Sequence, residues 1–152
     1  MPDDPTPSRE QPTGDAASPP DDGDVRARAV ELAHRLLDLA RDGDASLLDW
    51  VDQGVPVNLT DPDGNTLLML AAYHGHADLV ADLADRGGDV DRCNDRGQSP
   101  LAGAVFKGFE DVVRVLSRRG ADPDLGEPSA RAAADFFERP DLAAHFPEPT
   151  TT

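Results

Sequence analysis

Thiols are nearly missing from this chain: Cys93 is the single cysteine among 152 residues. An intrachain disulfide and a thiolate-held metal cluster are therefore excluded. Basic residues are scarce, with 14 Lys and Arg against 30 Asp and Glu and a net charge of −16. Nucleic-acid affinity rests on phosphate neutralisation, so this balance argues against a nucleic-acid partner. The same sign disfavours anionic membrane surfaces. No run of 18 apolar residues occurs, so no segment reads as a membrane-spanning helix. A basic start followed by an apolar run is missing before residue 25, against a secretory signal, and the expected compartment is cytoplasmic.

The first 24 residues lack any aromatic side chain. They hold six prolines, among them the pair Pro19-Pro20, and seven acids against the single base Arg9. Such a composition cannot bury enough apolar surface to offset its ordering entropy, so 1–24 is expected to be a disordered acidic, Pro-rich tail. Residues 147–152 read as a frayed C-terminus. Lys107 is the only lysine, and Arg, Ala, Asp, Gly and Pro abound, a bias expected of a GC-rich bacterial coding sequence such as an actinobacterial one.

Between these ends the chain repeats itself. Gly64 to Asp91 is answered, 33 residues on and without a gap, by Gly97 to Asp124. Gly64 falls on Gly97, Leu68 on Leu101, Ala71 on Ala104, Gly75 on Gly108, Asp78 on Asp111, Leu83 on Leu116 and Gly87 on Gly120. Each unit reads as a tight turn, a short helix, a glycine and a second helix. Asp61-Pro62-Asp63-Gly64 suits the turn, and Thr66 and Ser99 can cap the first helices. Pro100 fits the first helical position, where a missing amide costs nothing. Leu79, Val80 and Leu83 form the buried stripe of a second helix, with Asp78 in its positive first turn.

Upstream, Val25, Ala29, Leu32, Ala33, Leu36, Leu37 and Ala40 recur at helical spacing, with Asp24 as the expected N-cap. Leu47, Leu48 and Val51 follow, with Trp50 beside them. Downstream, Ser129, Ala133, Ala134, Phe136, Asp141, Leu142 and Phe146 form a unit offset by 30 instead of 33, since Asp111 meets Asp141. The expected organisation is a repeat domain over 25–146, divided into 25–57, 58–90, 91–124 and 125–146. The outer two units serve as polar-faced caps.

Asp61, Gly64, Thr66, Leu68, Ala71, Ala72, Gly75 and His76, with Asn94, Gly97, Ser99, Pro100, Leu101, Ala104 and Gly108, resemble the pattern of the ankyrin repeat family. The 33-residue period agrees. Leu67 and Met69 depart from the family's proline and histidine, and Ala102 from that histidine in the next unit. The resemblance implies an all-α solenoid of stacked helix pairs with β-turn fingers, acting as a non-catalytic protein-interaction module. It implies a contact surface of finger tips and exposed first helices: Pro62, Asp63, Asn65, Met69, Tyr73 and His74, then Asp95, Arg96, Gln98, Ala102, Phe106 and Lys107. Of these, Asp63, Asn65, Tyr73, His74, Asp95, Arg96, Gln98, Phe106 and Lys107 are the candidate protein-binding residues. Tyr73 and Phe106 stand one period apart and should form an aromatic row.

Residues that could carry chemistry are explained by the repeat. His74 and His76 lack a third ligand. Asp61, Asp63, Asp89, Asp91, Asp122 and Asp124 recur in turns, and the bidentate Glu of a calcium loop is missing. Arg92 beside Cys93 is expected to lower its pKa, but no histidine partner is placed to make a nucleophile. No phosphate-cradling glycine motif occurs. No catalytic, metal or cofactor site is expected, and the chain is expected to be monomeric by itself. An alternative reading is an acidic modulator that inhibits or stabilises one enzyme or a basic client protein.

Overall fold

The apolar residues recur in pairs of short bursts, and each burst closes at a glycine or a turn. A computed structural model of the chain describes residues 22–147. Its eight helices among the described residues are α1 (Asp22–Asp42), α2 (Ser46–Asp52), α3 (Leu67–Tyr73), α4 (Ala77–Asp85), α5 (Pro100–Lys107), α6 (Glu110–Arg118), α7 (Ala130–Phe136) and α8 (Pro140–Ala143). Four helix pairs thus follow one another. Apart from the isolated bridge between Thr60 and Thr66 there is no strand pairing among the described residues.

The chain divides into two units, Met1–Leu32 and Ala33–Thr152, and the division falls inside α1. In the first unit the described residues are the opening turns of α1, where Val25 and Val30 are exposed. Two expectations are corrected there. The helix already includes Asp24, expected as its cap. The apolar stripe is buried only from Leu36 onward, through Leu37 and Ala40, since Val25 and Ala29 face solvent. Residues 1–21, most of the expected tail, and 148–152 lie outside the described residues.

In the second unit α3 packs on α4 and α5, α5 on α6 and α7, and α4 on α6. The first helices of the pairs make an inner layer and the second helices an outer one, with α8 closing against α6 and α7. Leu68, Ala71, Ala72, Val80 and Leu83 of one pair are fully buried, as are their echoes Leu101, Ala104, Val113 and Leu116. Alanines on the inner helices allow neighbouring backbones to approach closely, while leucines and valines fill the layer between.

Local signals start and stop these helices as the sequence indicates. Thr66, Ser99 and Ser129 each accept a hydrogen bond from the backbone amide three residues on, at 3.0–3.1 Å. This satisfies one otherwise orphaned amide of the first turn. The inner helices end in left-handed residues, Gly75 at φ 84° and Gly108 at φ 78°. A Cβ on Gly75 would lie 3.1 Å from the Phe109 ring of the next repeat.

In the last repeat, thirty residues after Gly108, the same left-handed position is held by Glu138 at φ 55°. A side chain there costs about 1 kcal/mol. Glu138→Gly is therefore expected to stabilise the fold by about 1 kcal/mol, a rise in Tm of about 4 °C read by thermal unfolding.

Candidate functional site

Three fingers project between the helix pairs, and their geometry follows from short polar side chains that bond their own turns. The Asp61 carboxylate accepts from the amides of Asp63 and Asn65, and one period later the Asn94 carbonyl oxygen accepts from those of Arg96 and Gln98, all at 2.9–3.0 Å. Because both amides can only donate, Asn94 is fixed with its Nδ2 as donor. That nitrogen reaches Asn65 Oδ1 and Gln98 Oε1, each at 2.8 Å. Asn65 in turn donates to Asp61 Oδ2 at 3.0 Å. A ladder Asp61–Asn65–Asn94–Gln98 thus sets the register of one finger on the next. Burial works against the Asp61 carboxylate, yet bonds from Asn65 and Asp63 and the Arg41 charge hold it below its ordinary pKa.

At the finger tips Asp95 donates its amide to the Asp63 carbonyl at 2.9 Å. Gly64 is required here on two counts. Its φ is 84°, and a Cβ would lie 2.6 Å from Asp95 Oδ1. Side chains of other turns also bond backbone. Asn58 accepts from Asp89 N and, one period later, Asp91 accepts from Asp122 N. Cys93 sits among them, and burial, then Asp91 and Asp89, raise its thiol pKa. This corrects the expected lowering by Arg92.

Inside the fingers an open apolar groove of about 540 Å³ runs along α3, α5 and α7. Tyr73 leans over Gly103, where a Cβ would lie 3.1 Å from the ring. Phe106 follows, and its ring meets Phe137 edge to face at 5.5 Å, while Phe137 meets Phe136 at 5.0 Å. Ala102, Ala132, Ala133 and Pro128 form the floor and flank, and Gln98 brings an amide to the wall. Phe106 is 59% exposed and Phe136 79%, so aromatic surface is presented to solvent.

The nine candidate residues divide by role. Tyr73, Phe106 and Gln98 line the groove. Arg96 lines a smaller depression that shares Tyr73, Gln98 and Gly103 with it, and Asn65 lies there too. Lys107 Nζ stands 5.0 Å from the centre of the Tyr73 ring, and the exposed His74 ring meets Tyr73 edge-on. Asp63 and Asp95 line neither depression and stay at the finger tips. Asn65 and Gln98 are partly committed to the ladder. Two members of the wider expected surface, Met69 and Ala102, are almost wholly buried, a correction that follows from inner-helix packing. Burial lowers the His74 pKa, helped by the charges of His76, Lys107 and Arg41.

Sequence reading placed Phe136 in the last unit but not on the contact surface, and it missed Phe137. The signal was present, since the 30-residue offset that pairs Asp111 with Asp141 also sets Phe136 under Phe106. It missed the outer ion-pair ladder as well. There Arg86 grips Asp52 and, one period on, Arg119 grips Asp85. Such exposed pairs contribute little stability each, but they tie successive outer turns.

Stacked helix pairs joined by hydrogen-bonded fingers, with an open groove along the inner helices, define a repeat protein that presents a surface. Residues 36–126 match the ankyrin repeats in three copies. The chain belongs to the ankyrin repeat family, whose architecture serves protein interaction and is generally non-catalytic. Over 51 residues it is 53% identical to an ankyrin repeat protein of Pseudomonas aeruginosa. That stretch covers 33% of this chain and 30% of the bacterial relative, so the match spans under a third of the relative's length. No described helix is long and apolar enough to cross a membrane.

Asn94 is 7% exposed and serves four hydrogen bonds. Asn94→Ala is expected to cost about 2 kcal/mol, measured by denaturant unfolding. For His74 the folded pKa lies below the ordinary 6.5, so the unfolded chain protonates first and stability falls as pH drops through that value. His74→Gln is expected to lose less Tm than the parent between about pH 7.5 and about pH 5.5.

Proposed function

We propose that this chain is a non-catalytic module that holds a partner protein against its inner helices and fingers. The observation that carries the reading is the row Tyr73, Phe106 and Phe136, one from each successive inner helix, opening onto solvent around an apolar groove. A contiguous exposed apolar patch of this kind marks an interaction site, and aromatic side chains are the usual anchors of one. Asp63, Asp95 and Arg96 would make contacts from the finger tips. Asn65 and Gln98 hold the fingers in register beside them. His74 and Lys107 border Tyr73 at the far end of its helix.

Nothing in the groove has the makings of a catalytic constellation. Its lining side chains are apolar except for Tyr73 and Gln98, and neither faces a paired acid and base. Binding is therefore the function it supports.

The test is a crosslinking pull-down from the source organism with the parent and with Tyr73→Ala/Phe106→Ala, whose fold is checked by circular dichroism. Partner retention is expected to fall by about tenfold or more, since central aromatic anchors contribute about 2 kcal/mol each. Unchanged retention by the folded double variant would overturn the assignment of this face.

A further inference from the structure

The lining of the groove does not share the acidic character of the chain. Acids outnumber bases by 30 to 14, yet no Asp or Glu lines the groove or the depression that adjoins it. The charged side chain that lines the depression is Arg96, at the finger end. Lys107, over the Tyr73 ring, stands at the other end. Most arginines of this unit have found a carboxylate: Arg41, Arg86, Arg114, Arg119, Arg131 and Arg139 are all ion-paired. Among the described residues Arg96 and Lys107 have no such partner, nor do Arg35, Arg92 and Arg118; of these, Arg96 lines the adjoining depression and Lys107 lies over the Tyr73 ring. The helix between them, α5, rises about 10 Å.

The one amide in the groove is oriented by the finger ladder. Backbone amides fix Asn94, Asn94 Nδ2 donates to Gln98 Oε1, and Gln98 Nε2 is thereby the uncommitted end of a side chain that lines the groove. Its fixed polar function is a donor, as are the functions of Arg96 and Lys107.

We propose that the groove recognises a segment of a partner protein in which an apolar or aromatic anchor is flanked by carboxylates. The anchor fills the space between Tyr73, Phe106 and Phe136, and the carboxylates pair with Arg96 and Lys107. Gln98 donates to an acceptor of the segment between them. This inference rests on the interaction-module reading above and names the chemistry of the partner at that same surface.

The experiment pans a phage-displayed library of random peptides, each of about twelve residues, long enough to exceed the rise of α5, against the full chain. Enriched sequences are expected to carry Phe, Trp, Tyr or Leu with Asp or Glu on both sides. The variant Arg96→Glu/Lys107→Glu, at two exposed positions, should weaken a selected peptide about tenfold or more and should itself select Lys and Arg flanks. Enrichment of basic or uncharged flanks by the parent, or of acidic flanks by the variant, overturns the proposal while leaving the groove as a binding site. Selected peptides that bind Phe106→Ala/Phe136→Ala as tightly as the parent, or an absence of enrichment, overturn the groove reading and this inference together.

Discussion

A pair of short antiparallel helices has two apolar flanks and cannot cover both from within. Every other feature of this chain answers to that constraint. Leu68 and Leu83 are buried because Leu101 and Leu116 of the following pair complete their layer, and the inner alanines keep the pairs close enough to do so. Stacking also explains where glycine is needed. Gly75 is held both by its left-handed backbone and by the Phe109 ring of the next repeat. At Glu138, in the last pair, only the backbone demand remains, and a side chain is tolerated there at a cost in strain. The end of the stack is thus visible as a relaxation of one of two constraints.

Packing alone would let neighbouring pairs slide, and the polar ladder prevents it. Asn94 has each of its amide atoms assigned, its oxygen to two backbone donors of its own turn and its nitrogen to Asn65 of the preceding finger and Gln98 of its own. A buried amide so satisfied fixes a single register, because any slip leaves at least one group unpaired. The same residue therefore links local turn geometry, the spacing of the repeats and the orientation of Gln98 in the groove. Fold and site are coupled through one side chain.

The sequence made the stack legible because burial has a period. Leu68 and Leu101, or Thr66 and Ser99, announce themselves at 33 residues since identical neighbours impose identical demands. The groove was harder to read because it is a space between elements and depends on how rings lean. Tyr73 and Phe106 were visible as a row, but Phe136 stands where the repeat has shortened by three residues and the register must be shifted to see it. Phe137 has no counterpart in the row and enters through its edge-to-face contacts. The Arg86–Asp52 and Arg119–Asp85 pairs recur with the period too, yet exposed charges recur freely in an acidic chain and only geometry separates the paired from the unpaired. At α1, the apolar spacing ran on toward the N-terminus past the residues that are buried, because periodicity records which face could be covered and not whether anything covers it.

Net charge misleads about the surface for the same reason. Many of the acids here are consumed by structure. Asp61, Asp89, Asp91 and Asp122 accept turn amides, and Asp52, Asp85, Asp124 and Asp141 hold arginines. A carboxylate is the natural acceptor for a backbone donor at a turn, so a repeat built on tight turns accumulates negative charge without aiming it anywhere. Arg96 stands beside the groove without an ion-pair partner among the described residues, as Arg92 and Arg118 do elsewhere in the stack. Of the global sum of −16, −6 belongs to residues 1–24 and only the remainder to the repeats and their caps. At close range a partner meets first the side chains of the lining itself, where no acid stands and Arg96 is the charged member of the depression beside the groove.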